Sequence, residues 1–214
     1  MMKSSFLFAL IAIFGLSIVF AGPSHAESNA KEDWEQIDDD DGIKVYKHDI
    51  PGQELPGFRG EVVIAASIDS IVAVLKDHTK HTEWMHKCAA AHTIKDLGNG
   101  RTLDYNRTDA PWPVWDRDTV LEAQWTFSAD GKAVLLSFHN TDGKLEPLPE
   151  KTVRMPRLVG YYKLWKLDDN KTKVVYQVEA DPGGSLPTFL AKSIARDLPH
   201  HTLDALRARV TGKK

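Results

Sequence analysis

Between residues 88 and 180 the chain reads as strand after strand, and only then does a single long helix follow. Segments 88–96 and 102–108 flank Gly98-Asn99-Gly100, residues that accept the left-handed backbone of a tight hairpin. Thr119 to Phe127 alternates, placing Leu121, Ala123, Trp125 and Phe127 on one face. A turn at Asp130-Gly131 leads to Val134, Leu136 and Phe138. Segments 158–167 and 172–180 form a further hairpin around Asp168-Asp169-Asn170, with Val174, Tyr176, Val178 and Ala180 sharing a face. Upstream, Ile43, Val45 and Tyr46 mark a short strand, and Phe58, Gly60, Val62 and Ile64 alternate with Arg59, Glu61 and Val63. Strands joined by short turns pair antiparallel, because parallel neighbours need long crossovers.

The helical segments sit outside this block. Ser67 is a good cap for a helix carrying Ile68, Ile71, Val72 and Leu75 at helical spacing and ending near Asp77. The acidic stretch from Ala30 to Asp41 predicts a short helix around Trp34, then a solvated turn at Asp38 to Asp41. Asp181-Pro182-Gly183-Gly184 breaks the last strand, and Ser185 offers a cap. Leu186, Phe189, Leu190 and Ile194 then make one apolar stripe; Leu203, Leu206 and Val210 make a second, rotated from the first. Pro199 between them lacks an N–H and crowds the preceding turn, so a kink or interruption is expected. The class is α+β. A strongly curved antiparallel sheet wrapped around one long C-terminal helix leaves a space between the layers, and that space is a natural apolar tunnel.

The N-terminus carries an export signature. Lys3 precedes Phe6 to Ala21, an uncharged run of 16 residues, and Pro23-Ser24-His25-Ala26 offers small residues for cleavage after Ala26. A cut after Ala21, or an uncleaved anchor, is the alternative. We therefore expect residues 1–26 to be a signal peptide, residues 27–214 to be one domain, and a periplasmic location. The sole cysteine, Cys88, cannot form an internal disulfide, so stability must come from packing. A net charge of -3 argues against nucleic-acid binding. Nothing calls for more than a monomer.

Three blocks carry a family resemblance. Asn106-Arg107-Thr108-Asp109-Ala110-Pro111-Trp112-Pro113-Val114 followed by Asp116-Arg117-Asp118 resembles the strand–loop–strand signature of bacterial START domains, the steroidogenic-acute-regulatory-related lipid-transfer domains. Val153-Arg154-Met155-Pro156-Arg157 resembles a second block, and Asp181 to Pro187 resembles the lead-in to the family's lid helix. Trp84 after the first helix fits as well. The resemblance covers Trp34 to Val210 and implies a helix-grip fold with a lipid in the tunnel. It also puts the loop bearing Trp112, Pro113 and Trp115 at the tunnel mouth.

Such a carrier needs apolar walls and one or two polar groups, but no catalytic residue and no cofactor. The wall candidates are Trp84, Trp125, Tyr162, Tyr176 and Val178, with Leu186, Phe189, Leu190 and Ile194 from the lid. Each could equally be plain core. Tyr105, Arg107 and Arg154 are the polar candidates; for the arginines the alternative is a structural ion pair. Asp116, Arg117 and Asp118 read as ties between the loop and its neighbours. Trp112 and Trp115 suit either a membrane interface or a cap on the tunnel. A cationic tail from Lys192 to Lys214 could assist on anionic lipid. His78, His81, His86, His200 and His201 lack metal-site spacing, and Cys88 lacks a partner motif, so neither zinc nor a nucleophile is expected. The expected activity is binding and transport of a lipid or other apolar molecule, with transient membrane contact. The alternative is a helix-grip enzyme, of cyclase or hydrolase type, working in the same pocket.

Overall fold

A computed structural model describes residues 33–186 and 188–212, the side chains of Thr188 and Leu190 excepted. The expected signal segment lies outside these residues. Ten strands form one open sheet in the order β1-β2-β3-β10-β9-β7-β6-β5-β4, with β8 beside β6. The strands are β1 Glu35–Asp40, β2 Ile43–His48, β3 Gly57–Ile64, β4 Cys88–Gly98, β5 Arg101–Thr108, β6 Asp116–Phe127, β7 Ala133–Asn140, β8 Thr152–Arg154, β9 Arg157–Asp168 and β10 Lys171–Asp181. Helix α1 spans Ile68–Lys76, a 3-10 turn His78–Lys80 leads into the short α2 His81–Trp84, and α3 spans Thr188–Thr211. The sheet is curved and antiparallel apart from the β6–β8 pair, which runs parallel over three residues.

Turn chemistry fixes the register. Gly98, Asn99 and Gly100 all have positive φ and set β4 against β5 with His92 facing Tyr105. Ser67 caps α1 by accepting a hydrogen bond from the Ser70 N–H. Among the described residues no helix forms around Trp34. Residues 35–40 instead form edge strand β1, paired with β2 around an Asp41-Gly42 turn of positive φ. Three consecutive aspartates are poor helix formers, and on an edge they stay solvated while Ile37 touches the core.

One core joins the concave face of the sheet to the helices. Ile43, Val45, Val62, Ile64 and Val174 meet Ile71 and Leu75 of α1 and Leu203 and Leu206 of α3, all almost fully buried. The helix crosses the sheet at Gly60. A Cβ there would lie 2.7 Å from Leu203 Cδ1 and 3.0 Å from Pro199 Cβ, so only glycine lets the two layers approach this closely. The helix is not interrupted at Pro199; it continues through the proline, which is itself buried against β3.

Candidate ligand cavity

Beyond the Gly60 crossing the helix and sheet part, and a cavity of about 160 Å³ opens between them. Alternation on the strands decides what faces it. On β6, Thr119, Leu121, Ala123 and Trp125 turn inward; on β7, Leu136 and Phe138; on β9 and β10, Tyr162 and Tyr176. Leu75 of α1, the segment from His81 to Cys88, and Leu198 and Thr202 of α3 close the other side. One end is aromatic and aliphatic. The other, near β5, carries polar and sulfur groups.

The two tyrosines dominate the apolar end. They face one another directly across β9 and β10, with stacked rings 4.5 Å apart. Both are nearly fully buried, and neither hydroxyl has a hydrogen-bond partner among the described residues. Burial raises the pKa of both phenols well above the ordinary tyrosine value, so both stay protonated. Thr119 Oγ1 is likewise buried without a partner.

The polar end is organised around Asp104. Thr102 donates to its Oδ2 at 2.6 Å, Thr93 donates to its Oδ1 at 2.9 Å, and His78 Nδ1 sits 3.2 Å from the same oxygen. Burial works to raise this carboxyl, but the His78 and threonine contacts outweigh it and hold the pKa below its ordinary value. His81 donates from Nε2 to Leu75 O at 3.1 Å; burial, and then neighbouring His78, lower its pKa to about 4, so its ring is neutral. Burial raises the Cys88 thiol, and Asn106 Nδ2 lies 3.5 Å from its sulfur, so no reactive thiolate forms there.

Of the expected wall residues, Trp125, Tyr162 and Tyr176 line this cavity. Val178 is buried one step further along the same face of β10, and Trp84 packs at the core's margin with its ring edge-on to His81. Leu186 borders a separate cleft beside Leu55 and Ala191. Phe189 is 76% exposed and Ile194 is 40% exposed; the side chain of Leu190 lies outside the described residues. The buried face of α3 runs through Ala191, Leu198, Thr202, Leu203 and Leu206. Size is therefore a poor guide in this helix: small Ala191 faces inward while Phe189 faces out.

Tyr105 borders the cavity through its strand, but its ring alternates to the outer face. There it packs with Leu103 and Val120, 5.0 Å from His92. Burial, followed by nearby Asp118, raises its phenol to about 12. Arg154 belongs to the same outer face. It grips fully buried Asp118 through two hydrogen bonds of 3.0 and 2.7 Å and donates to the carbonyls of Gly143 and Glu146. These bonds tie the 141–151 loop onto the sheet and leave the guanidinium engaged away from the cavity. Arg107 does not line the cavity either; its Nε lies 3.6 Å from Asp116. The inward residues that sequence reasoning passed over are His78, Asp104, Asn106 and Thr119. Strand phase held the clue, since the even-numbered positions of β5 face inward.

Arg117 links two exposed segments. It donates to Trp115 O at 2.6 Å and to Pro182 and Gly183 carbonyls at 3.2 and 3.1 Å. The tryptophan loop and the lead-in to α3 are therefore tied together. Trp112 is 92% exposed and Trp115 56% exposed. Among the described residues no helix is long and apolar enough to cross a membrane.

An open curved sheet gripping a C-terminal helix, with an internal cavity, defines a helix-grip protein of α+β class. START domains match residues 26–209, and the chain belongs to that family. It is 34% identical over 197 residues to an uncharacterized protein of Pseudomonas aeruginosa, covering 92% of this chain and 96% of that one. The crystal structure of a STAR-related lipid transfer protein fragment from Xanthomonas axonopodis is 35% identical, covers 83% of this chain and 98% of its own, and superposes with a TM-score of 0.75. The Zhui aromatase/cyclase of Streptomyces sp. R1128 covers 72% of this chain and 93% of its own at 12% identity and a TM-score of 0.51, a likeness of fold.

Proposed function

We propose that the chain binds one apolar molecule between the concave face of the sheet and α3, and carries it without chemical change. The supporting observation is the cavity itself, walled by Trp125, Leu136, Phe138, Tyr162 and Tyr176 at the point where the helix leaves the sheet. Burying apolar surface there contributes roughly 25 cal/mol per Å² before association costs. A cavity of about 160 Å³ matches one small ring, since an engineered cavity of about 150 Å³ takes up benzene. A long-chain lipid exceeds this volume and would extend beyond it. Native mass spectrometry of the purified protein, followed by organic extraction, tests the reading. Recovery of a stoichiometric apolar compound is expected. Recovery of none, with no uptake of fluorescent lipid, overturns it.

The enzymatic reading keeps one specific support: His78 beside Asp104 at the cavity wall is a titratable pair. It predicts that an extracted compound changes in mass on prolonged incubation with the protein but not with the Asp104→Asn variant. We place the carrier in the periplasm, reached by cleavage near Ala26, which N-terminal sequencing of the exported protein checks. Transient membrane contact through exposed Trp112, Trp115 and Phe189 belongs to the same proposal.

A further inference from the structure

The lining of the cavity is uneven in charge, and this bears on which molecule it takes. Among the described residues no lysine or arginine borders it. The arginines close to its rim in sequence are engaged elsewhere: Arg107 beside Asp116, Arg117 with the Trp115, Pro182 and Gly183 carbonyls, Arg154 with Asp118 and Arg157 with Glu179. The one carboxylate at the wall, Asp104, is already satisfied by Thr93, Thr102 and His78. His81 is neutral with its Nε2–H committed to Leu75 O. A phosphate or carboxylate brought here would lose its water and find as basic neighbours only imidazoles already engaged, His78 with Asp104 at 3.2 Å and His86 stacked on His201.

Oxygen, by contrast, is expected by the wall. Tyr162 and Tyr176 stand side by side on the concave face, 5% and 7% exposed, and their side chains rise from the sheet towards α3. Thr119 Oγ1 is fully buried without a partner; the two phenol oxygens make no hydrogen bond among the described residues and are not themselves fully buried, so they open onto the cavity. A guest that gives Thr119 a partner recovers the cost of that buried hydroxyl, and the phenols, open to the cavity, can bond the same guest.

Resting on the carrier reading, we infer that the ligand is an uncharged apolar molecule bearing a hydroxyl or carbonyl oxygen, which Tyr162 and Tyr176 recognise, and that anionic lipids are rejected. The phenols act as a neutral pair that can both donate and accept, so either oxygen type is read. The rings beneath them supply the apolar bed.

Calorimetric titration with two matched sets of probes tests this: 2-naphthol, naphthalene and 2-naphthoate for ring-sized guests, and 1-dodecanol with dodecanoate for chains. The uncharged oxygenated probe is expected to bind at least about tenfold tighter than its carboxylate, in whichever size binds, a gap of about 1.4 kcal/mol. In the Tyr162→Phe/Tyr176→Phe double variant, the preference for 2-naphthol over naphthalene should disappear while naphthalene binding persists, which also reports that the variant is folded. Thermal melts of the single variants provide a second check on folding. Equal or tighter binding of either carboxylate overturns the inference and leaves the carrier reading intact. An undiminished preference for naphthol in the double variant overturns the role of the tyrosines. Binding of no probe in either set removes the carrier reading and this inference together.

Discussion

The two halves of α3 carry similar apolar content and make opposite use of it. In the C-terminal half, Leu203 and Leu206 are fully buried, Pro199 lies against Gly60, Arg207 bonds Asp41 at 2.6 Å, and Arg209 reaches Glu83 at 3.1 Å. In the N-terminal half, Phe189 and Ile194 are exposed, and small Ala191 takes the inward position. One half is bolted to β1–β3 and α2; the other turns more of its described side chains to solvent, borders the Leu55 cleft through Ala191, and reaches the cavity at Leu198. Local stability follows contact density, so we expect the more exposed half to open first. A guest would then reach the cavity without disturbing the fold.

The largest break in this contrast is Leu203→Ala. It empties a fully buried site at the helix–sheet crossing, and should destabilise the domain by about 4 kcal/mol in urea melts. A loss below about 1 kcal/mol would show that the second half is not the anchor.

Acid should act next most strongly, again at the anchored end. His81 opens α2, its ring 4.7 Å from that of His78 and 5.4 Å from that of Trp84, with Asp77 and Asp104 as the facing acids. Its folded pKa of about 4 lies below the unfolded value of 6.5. Between those values the unfolded chain binds a proton that the folded one refuses. Stability from this group is complete above pH 6.5 and is lost as pH falls towards 4, by about 3 kcal/mol in full. Urea midpoints at about pH 7.5 and about pH 5 measure the slope. His81→Gln should flatten it, and an unchanged slope in that variant would assign the acid sensitivity to another group.

Gly60→Ala is the subtler probe of the same joint. The added methyl meets Leu203 and the Pro199 ring at 2.7 and 3.0 Å, so the helix must lift, at about 2 kcal/mol. If the cavity wall depends on this crossing, naphthol binding should weaken in the same variant. Retained stability together with retained binding would show that the close approach is not needed.

The architecture was legible from local signals because each depends on neighbours in sequence. Gly98-Asn99-Gly100 sets a hairpin whatever lies elsewhere, and the alternation around Trp125 and Tyr176 marks an inner face. The misreadings arose where distant partners decide. Nothing local says that the aspartates of β1 form an edge strand beside β2; for Arg154 the structural ion-pair alternative holds, and only the fold names buried Asp118 as its partner. In α3, side-chain size suggested one face and the phase of Ala191, Leu198 and Thr202 another; phase prevailed, because it is set by the Gly60 crossing. Asp104 and Thr119 went unnoticed because a polar residue in a strand normally faces water, and only a cavity makes its inward placement useful.

The smallest expected effect on stability falls on the loose half, and it separates folding from function. Phe189 is 76% exposed, so Phe189→Ala removes little buried surface and should shift the urea midpoint by less than about 0.5 kcal/mol. The tryptophan loop is tied to the start of this helix through Arg117, which brings Trp112 and Trp115 into its neighbourhood. Exposed aromatic rings favour the headgroup region of a bilayer. Phe189→Ala combined with Trp112→Ala should therefore reduce co-sedimentation with vesicles severalfold while leaving the melt unchanged. Should the melt move by several kcal/mol, the rings are holding the fold together; should vesicle binding stay the same, this end of α3 is not a membrane-contacting surface.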